Sequence, residues 1–159
     1  MIIVNGNLME TGIYVIAHQV NTLGIMGGGI AKQIRDKYPY VYNEYIKYCA
    51  NKTDEQLLGD AHCTRTEEWN AEHYIINAFG QSSIGVGTRQ TDYDALESAL
   101  AKGIQNYRCA HNNFGTQIPI AVPYMIGCGL AGGNIKTVIK ILENIEKIYN
   151  VVFIAYKLN

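Results

Sequence analysis

Twice along this chain an apolar, strand-like run ends in a glycine-rich stretch that leads at once into a helix-like run. The first case is "HQVNTLGIMGGGIAKQI", residues 18–34, with three consecutive glycines. The second is "GCGLAGG", residues 127–133, which follows the buried-strand pattern "IPIAVPY" and precedes the last helical run. Strand, glycine turn and helix start in that order constrain the chain to a layered α/β domain. In such domains ligands collect at loops leaving the carboxyl ends of strands. Residues 21–29 and 124–133 are the two loops that fit this placement.

The rest of the chain supports the same class. Residues 2–4 and 13–17 are short β-prone runs separated by the polar stretch "NGNLMETG". Residues 30–38 read as a short helix, which Pro39 ends, and Pro39 can open the next helix at its first position. Residues 40–50 continue helically, with Val41, Tyr45 and Tyr48 at helical spacing. "LLGDAHCTRT" and "HYIINAF" read as two further strands. "TDYD", residues 91–94, has the form of a capping box with Thr91 as the cap, ahead of Ala95, Leu96, Ala99, Leu100 and Ile104. Val138, Ile141, Leu142, Ile145 and Ile148 mark the last helix, and residues 151–156 a closing strand. The expected order is ββααββαβαβ, with a mixed sheet of about six strands between helices.

At 159 residues, with 48% apolar and 17% charged, the chain reads as one globular domain, 1–159, without a disordered segment. A net charge of −1 argues against a broad basic face for nucleic acid or membrane. The start "MIIVNGN" has no leader-like basic and apolar regions, and no apolar run approaches the ~18 residues of a membrane span. The expectation is a cytoplasmic protein, a monomer, with no membrane partner. Cys49, Cys63, Cys109 and Cys128 lack CxxC spacing, so neither a zinc site nor a disulfide framework is expected.

Glycine lets the backbone approach a ligand with no Cβ in the way, and the amides of a following helix start face whatever binds. Two such nests in one small domain point to two phosphates, a diphosphate held between Gly27–Gly28–Gly29 and the 127–133 loop. Neither loop contains Gly-Lys-Ser/Thr or GxGxxG, which disfavours magnesium-dependent triphosphate hydrolysis and a dinucleotide fingerprint. His18 is either a strand-end cap or an acid, base or nucleophile near neutral pH. Asn21 is either a turn residue or a partner for a sugar hydroxyl. Asn7 is a turn former or reads a base edge. Cys128 is a thiol nucleophile or a small lining residue. Asp92 and Asp94 are caps or acids facing the cleft. The tyrosines of residues 38–48 are read as packing residues.

"VNGNLM", "AHQVNTLGIMGGGIAKQIRDKYP", "INAFGQ", "TDYDALESAL" and "VPYMIGCGLAGGN" together resemble the macrodomain family of ADP-ribose-binding modules, in the right order over nearly the whole chain. The similarity is greatest to the phage, bacterial and fungal branch described as ADP-ribose-1″-phosphate phosphatases. The resemblance implies a three-layer α/β/α fold with ADP-ribose in a cleft, and hydrolysis of ADP-ribose-1″-phosphate to ADP-ribose and phosphate without a metal or other cofactor. It makes His18 a catalytic residue, with Asn21 positioning the distal ribose. Asn7 and the backbone of Leu8 are implied to meet adenine, although most macrodomains carry Asp at the position of Asn7. Gln19, Met26, Gly27, Gly28, Gly29, Ile30, Gly127, Cys128, Gly129, Leu130 and Ala131 complete the implied ligand contacts. A related branch that removes ADP-ribose from glutamate or DNA bases uses a Lys after a strand like "YIINAF". One member of that branch also has an acid just after "GCGL". This chain has Gln81 and Ala131 there, which argues against the lysine-dependent route. The alternatives are a non-catalytic ADP-ribose reader and an ADP-ribosyl hydrolase acting on modified protein or nucleic acid, with nucleic acid a partner only as an ADP-ribosylated substrate.

Overall fold

Five runs rich in Val, Ile and Ala, and the more polar run Ala61–Arg65, form the strands β1 (Ile2–Asn5), β2 (Val15–Asn21), β3 (Ala61–Arg65), β4 (Tyr74–Gln81), β5 (Ile118–Pro123) and β6 (Val151–Lys157). The computed structural model describes residues 1–84 and 87–158. The strands pair in the order β1-β6-β5-β2-β4-β3, all parallel except the antiparallel β3–β4 pair. Between them run α1 (Gly29–Lys37), α2 (Pro39–Cys49), the single turn α3 (Asp54–Leu57), α4 (Tyr93–His111) and α5 (Ile135–Tyr149).

Alternation along the strands assigns the two faces. Val15, Ala17, Ile76, Ile120 and Phe153 pack with Leu96 and Ile104 of α4 and Val138 and Leu142 of α5. Ile16 and Ile75 turn the other way, toward Ile34 of α1 and Val41 of α2, while Val20 and Phe79 meet Tyr45. The result is the three-layer α/β/α arrangement around a mixed six-stranded sheet. Among the described residues no helix is long and apolar enough to cross a membrane.

One irregularity of the sheet creates the site. β2 and β5 pair through only two positions, Val15↔Ile120 and Ile16↔Ala121. Beyond them β2 continues to Asn21 against β4 alone, and β5 continues to Pro123 against β6 alone. The two strands part before their carboxyl ends, leaving a gap flanked by the loops that follow each.

Several local expectations are corrected. β2 begins at Val15 rather than residue 13 and runs through Asn21, so His18 lies within the strand rather than at its end. A 3₁₀ turn, Leu8–Glu10, occupies part of the polar stretch after β1. The run read as a strand from residue 57 begins on the last residue of α3, a turn capped by a Thr53/Gln56 box, and β3 starts only at Ala61. The cap of α4 is Asp92, whose carboxylate accepts from the Ala95 amide, and not Thr91. Thr91 is 2% exposed and turned inward, and both sites satisfy the same hydroxyl-or-acid pattern one residue apart.

Both long helices end in a left-handed asparagine, Asn112 at φ 48° and Asn150 at φ 53°. Arg108, buried in α4, donates to the carbonyls of Asn113 and Thr116 in the loop after α4 and to those of Tyr149 and Asn150 at the end of α5. A cation placed among helix C-terminal carbonyls satisfies several acceptors at once. Arg108→Ala is expected to lower stability by about 3 kcal/mol, since charge-assisted bonds contribute more than neutral ones and the carbonyls lose their donors. Arg108→Lys should recover less than half, because an ammonium lacks the planar fork. Urea unfolding midpoints check both values.

Candidate functional site

The gap between β2 and β5 opens into a cavity of about 550 Å³. Its walls are the loop after β2, the first turn of α1 and the loop after β5. Asn21 organises the first wall. Its Nδ2 donates to the Ile25 carbonyl at 2.7 Å, and its Oδ1 accepts from the Leu23 amide at 3.0 Å and the Ile25 amide at 3.3 Å. The buried Tyr45 hydroxyl lies 2.6 Å from the Asn21 carbonyl, fixing the same residue from α2. Gly29 then takes φ +57°, a conformation that costs any residue with a Cβ, and it starts α1 with its amide turned out of the helix ladder.

The amides of Gly27, Gly28 and Gly29 donate to no protein acceptor among the described residues, and neither do those of Gly129, Leu130 and Ala131 across the cavity. The loops also touch. A Cβ on Gly28 would stand 2.9 Å from Cδ1 of Leu130. Two sets of uncommitted N–H groups therefore belong to residues lining one cavity, as the holding of a diphosphate through main chain requires. Among the described residues, no Asp, Glu, Lys or Arg side chain lines the cavity.

Gln19 fastens the second loop to the sheet. Its Nε2 donates to Gln81 Oε1 at 2.8 Å and to Thr91 Oγ1 at 2.9 Å, and Thr91 passes its own proton to the Gly127 carbonyl at 2.6 Å. The carboxamide is wedged between two glycines. A Cβ on Gly80 would sit 2.4 Å from Gln19 Oε1, and one on Gly127 2.9 Å away. Gln81, at the position where the resemblance drew attention to a missing lysine, is held in this network.

His18 also lines the cavity but is only 1% exposed. Its Nε2 lies 2.5 Å from Asn77 Oδ1, and Asn77 Nδ2 lies 3.1 Å from His62 Nδ1. The remaining nitrogen, His18 Nδ1, is buried and has no hydrogen-bond partner among the described residues. Burial pushes the His18 pKa down to about 4, against a smaller opposing effect of the Asn77 bond. Burial does the same to His62, also to about 4. Both imidazoles are neutral near pH 7.

The structure brings His18, Gln19, Asn21, Gly27, Gly28, Gly29, Ile30, Gly127, Gly129, Leu130 and Ala131 to one cavity. Four residues implied by the resemblance lie elsewhere. Met26 is fully buried against Tyr45 and Phe79, and Cys128 is buried against the α5 side of the sheet, its thiol raised to about 11 by burial. Asn7 caps the 3₁₀ turn through the Met9 amide, and Leu8 is buried in the α1 layer. Asp92 and Asp94 lie outside the cavity wall, at the exposed start of α4. Reading the sequence missed Asn77, Thr91, Tyr45 and Gly80. Only the polar Asn inside the apolar run "YIINAF" carried a signal, since a buried strand seldom spends a position on an amide without a partner.

The two histidines also set how stability depends on pH. Unfolded, each titrates near 6.5; folded, near 4. Between those values the unfolded chain binds more protons, so stability is full above about 6.5 and is lost as pH falls toward 4, by up to about 3 kcal/mol per histidine. Denaturant midpoints should fall across this window, and His62→Gln should make the fall shallower. A flat profile would contradict the buried neutral state of the pair.

The Macro domain family model matches residues 17–142. An ADP-ribose 1″-phosphate phosphatase from Candida albicans is 31% identical over 101 residues, covering 55% of this chain and 64% of that protein. A DNA ADP-ribosyl glycohydrolase from Thermus aquaticus is 41% identical over 46 residues, covering 29% of this chain and 13% of that one. The chain thus spans less than two thirds of these relatives. Among solved structures, the macrodomain of Mycobacterium tuberculosis DarG superposes with a TM-score of 0.74 at 23% identity, covering 98% of this chain and 97% of that one. A Bacteroides thetaiotaomicron protein superposes with a TM-score of 0.78 at 22% identity, covering 98% of each chain. With the family model running from β2 to α5, across both loops of the cavity, the chain belongs to the Macro domain family.

Proposed function

We propose that this macrodomain binds ADP-ribose in the β2–β5 gap and hydrolyses ADP-ribose-1″-phosphate to ADP-ribose and phosphate, without a metal. The observation that carries the reading is the convergence of uncommitted amides from both loops on one cavity. The diphosphate lies between Gly27–Gly28–Gly29 and Gly129–Leu130–Ala131, and the distal ribose extends toward Asn21 and His18. Similarity to fungal ADP-ribose 1″-phosphate phosphatases supports the reaction class.

In this reading a water oxygen attacks the terminal phosphorus, and His18 accepts the water's proton through the nitrogen that has no protein partner. The P–O bond on the C1″ side breaks as the water oxygen bonds to phosphorus, and the departing C1″ oxygen takes back the proton His18 received and leaves as a hydroxyl, which returns His18 to its neutral form. Burial keeps the His18 lone pair free at any pH above about 4 while lowering its basicity, so stabilisation of charge on the transferring group by the loop amides carries more of the rate. Asn21 acts by holding the loop geometry.

A second reading draws on the cavity's lack of charge. A terminal phosphate dianion meets no cation on the described walls, so an uncharged leaving group at C1″ fits equally well, as in removal of ADP-ribose from modified DNA. Similarity to DNA ADP-ribosyl glycohydrolases supports this alternative. Phosphate release from ADP-ribose-1″-phosphate, run beside ADP-ribose release from ADP-ribosylated DNA, separates the two. The first reading predicts turnover of the phosphate ester and a drop of about a hundredfold or more in His18→Ala, with ADP-ribose affinity changed little. Equal rates in the variant would remove His18 from the reaction. Tight binding with no turnover of either substrate would make the chain a reader.

A further inference from the structure

Three strands place polar residues side by side in an otherwise apolar layer. His18 of β2 is the register partner of Asn77 of β4, and Asn77 is the register partner of His62 of β3. Their neighbours on this face are Ile16, Val20, Ile75 and Phe79. Asn77 has no exposure, so its amide must be satisfied within the row. It spans the two imidazoles, with its oxygen toward His18 Nε2 and its nitrogen toward His62 Nδ1.

We propose that Asn77 is a positioning residue that sets the tautomer of His18, holding the proton on Nε2 and leaving Nδ1 as the bare acceptor. A carboxamide has one donor end and one acceptor end, so each imidazole must present the complementary nitrogen. Turning the amide over would reverse both rings together: His18 would then carry its proton on Nδ1, which has no acceptor among the described residues. A buried N–H without an acceptor costs more than a lone pair without a donor, and that difference selects the orientation seen. Asn77 does not line the cavity, so it acts through His18 alone.

The groups facing this row are few. Tyr48 of α2 packs at a tilt against His62, with ring centroids 4.9 Å apart and planes 35° apart, and bonds to Asp60 just ahead of β3. Tyr45 of α2 lies against Phe79, and Glu44 and Lys52 act on His62 from farther out. Those charges reach His62 first, and none is paired directly with His18. The fixed tautomer is therefore a property of the Asn77 amide. The inference rests on the proposed role of His18 as base, but its test does not require turnover.

Long-range nitrogen–proton correlation spectra of the labelled full chain read the tautomer of each histidine directly. The expected result is His18 neutral with its proton on Nε2, and His62 with its proton away from Nδ1, across pH 6–8. In Asn77→Asp, an acceptor-only side chain replaces the amide, and His62 should shift its proton to Nδ1. His18 should then titrate at least one unit higher than in the parent chain, and the acid limb of the rate profile should move with it. Asn77→Leu should lower kcat tenfold or more while KM changes less than about threefold. His18 carrying its proton on Nδ1 in the parent chain, or an unchanged His18 titration in Asn77→Asp, would overturn the proposal. If the parent chain shows the expected tautomers but turns over neither substrate, the proposed reaction fails and the assignment to Asn77 stands.

Discussion

The pairing between β2 and β5 stops after two residue pairs, and the functional reading depends on that early parting. Were the ladder to continue, the carboxyl ends of the two strands would lie in hydrogen-bonding contact and the space between their loops would close. Each strand keeps its other neighbour, so the sheet survives the split: β4 supports β2 as far as Asn21 and β6 supports β5 as far as Pro123. Pro123, at the end of β5, has no N–H to leave unpaired. The parting is stable because Gln19 and Thr91 fill one edge of the gap and tie it to Gly127.

The electrostatics of the gap follow from its construction. Main-chain amides supply partial positive charge without a titrating side chain, so the site keeps the same character over a wide pH range. The two histidines nearby are held neutral by burial, which leaves lone pairs rather than charges within the α1 and α2 layer. A cleft of this kind recognises an anion by the geometry of its donors rather than by net charge.

The sheet, its helices and the two loops were legible because strand and helix periods differ and because glycines interrupt them at strand ends. The loops could be paired in advance because both leave the carboxyl ends of strands in a layered α/β domain, where ligands collect. What escaped depends on partners distant in sequence. Gln19 reaches 62 residues to Gln81 and 72 to Thr91, and nothing local distinguishes Thr91 from the cap at Asp92. His18 was visible as a candidate, but its burial and its pairing with an asparagine 59 residues away were not. Met26 and Cys128 lie inside glycine-rich loops, so their burial in opposite layers of the core required the three-dimensional path of each turn.

The central claim is that amides from both loops bind one diphosphate. The most direct measurement is a titration of the nitrogen-labelled chain with ADP-ribose, following the amide protons of Gly27, Gly28, Gly29, Gly129, Leu130 and Ala131. The account predicts that all six respond with a single saturation curve, and that several move downfield as they gain a charged acceptor. Shifts confined to one loop, or separate saturation of the two, would contradict it.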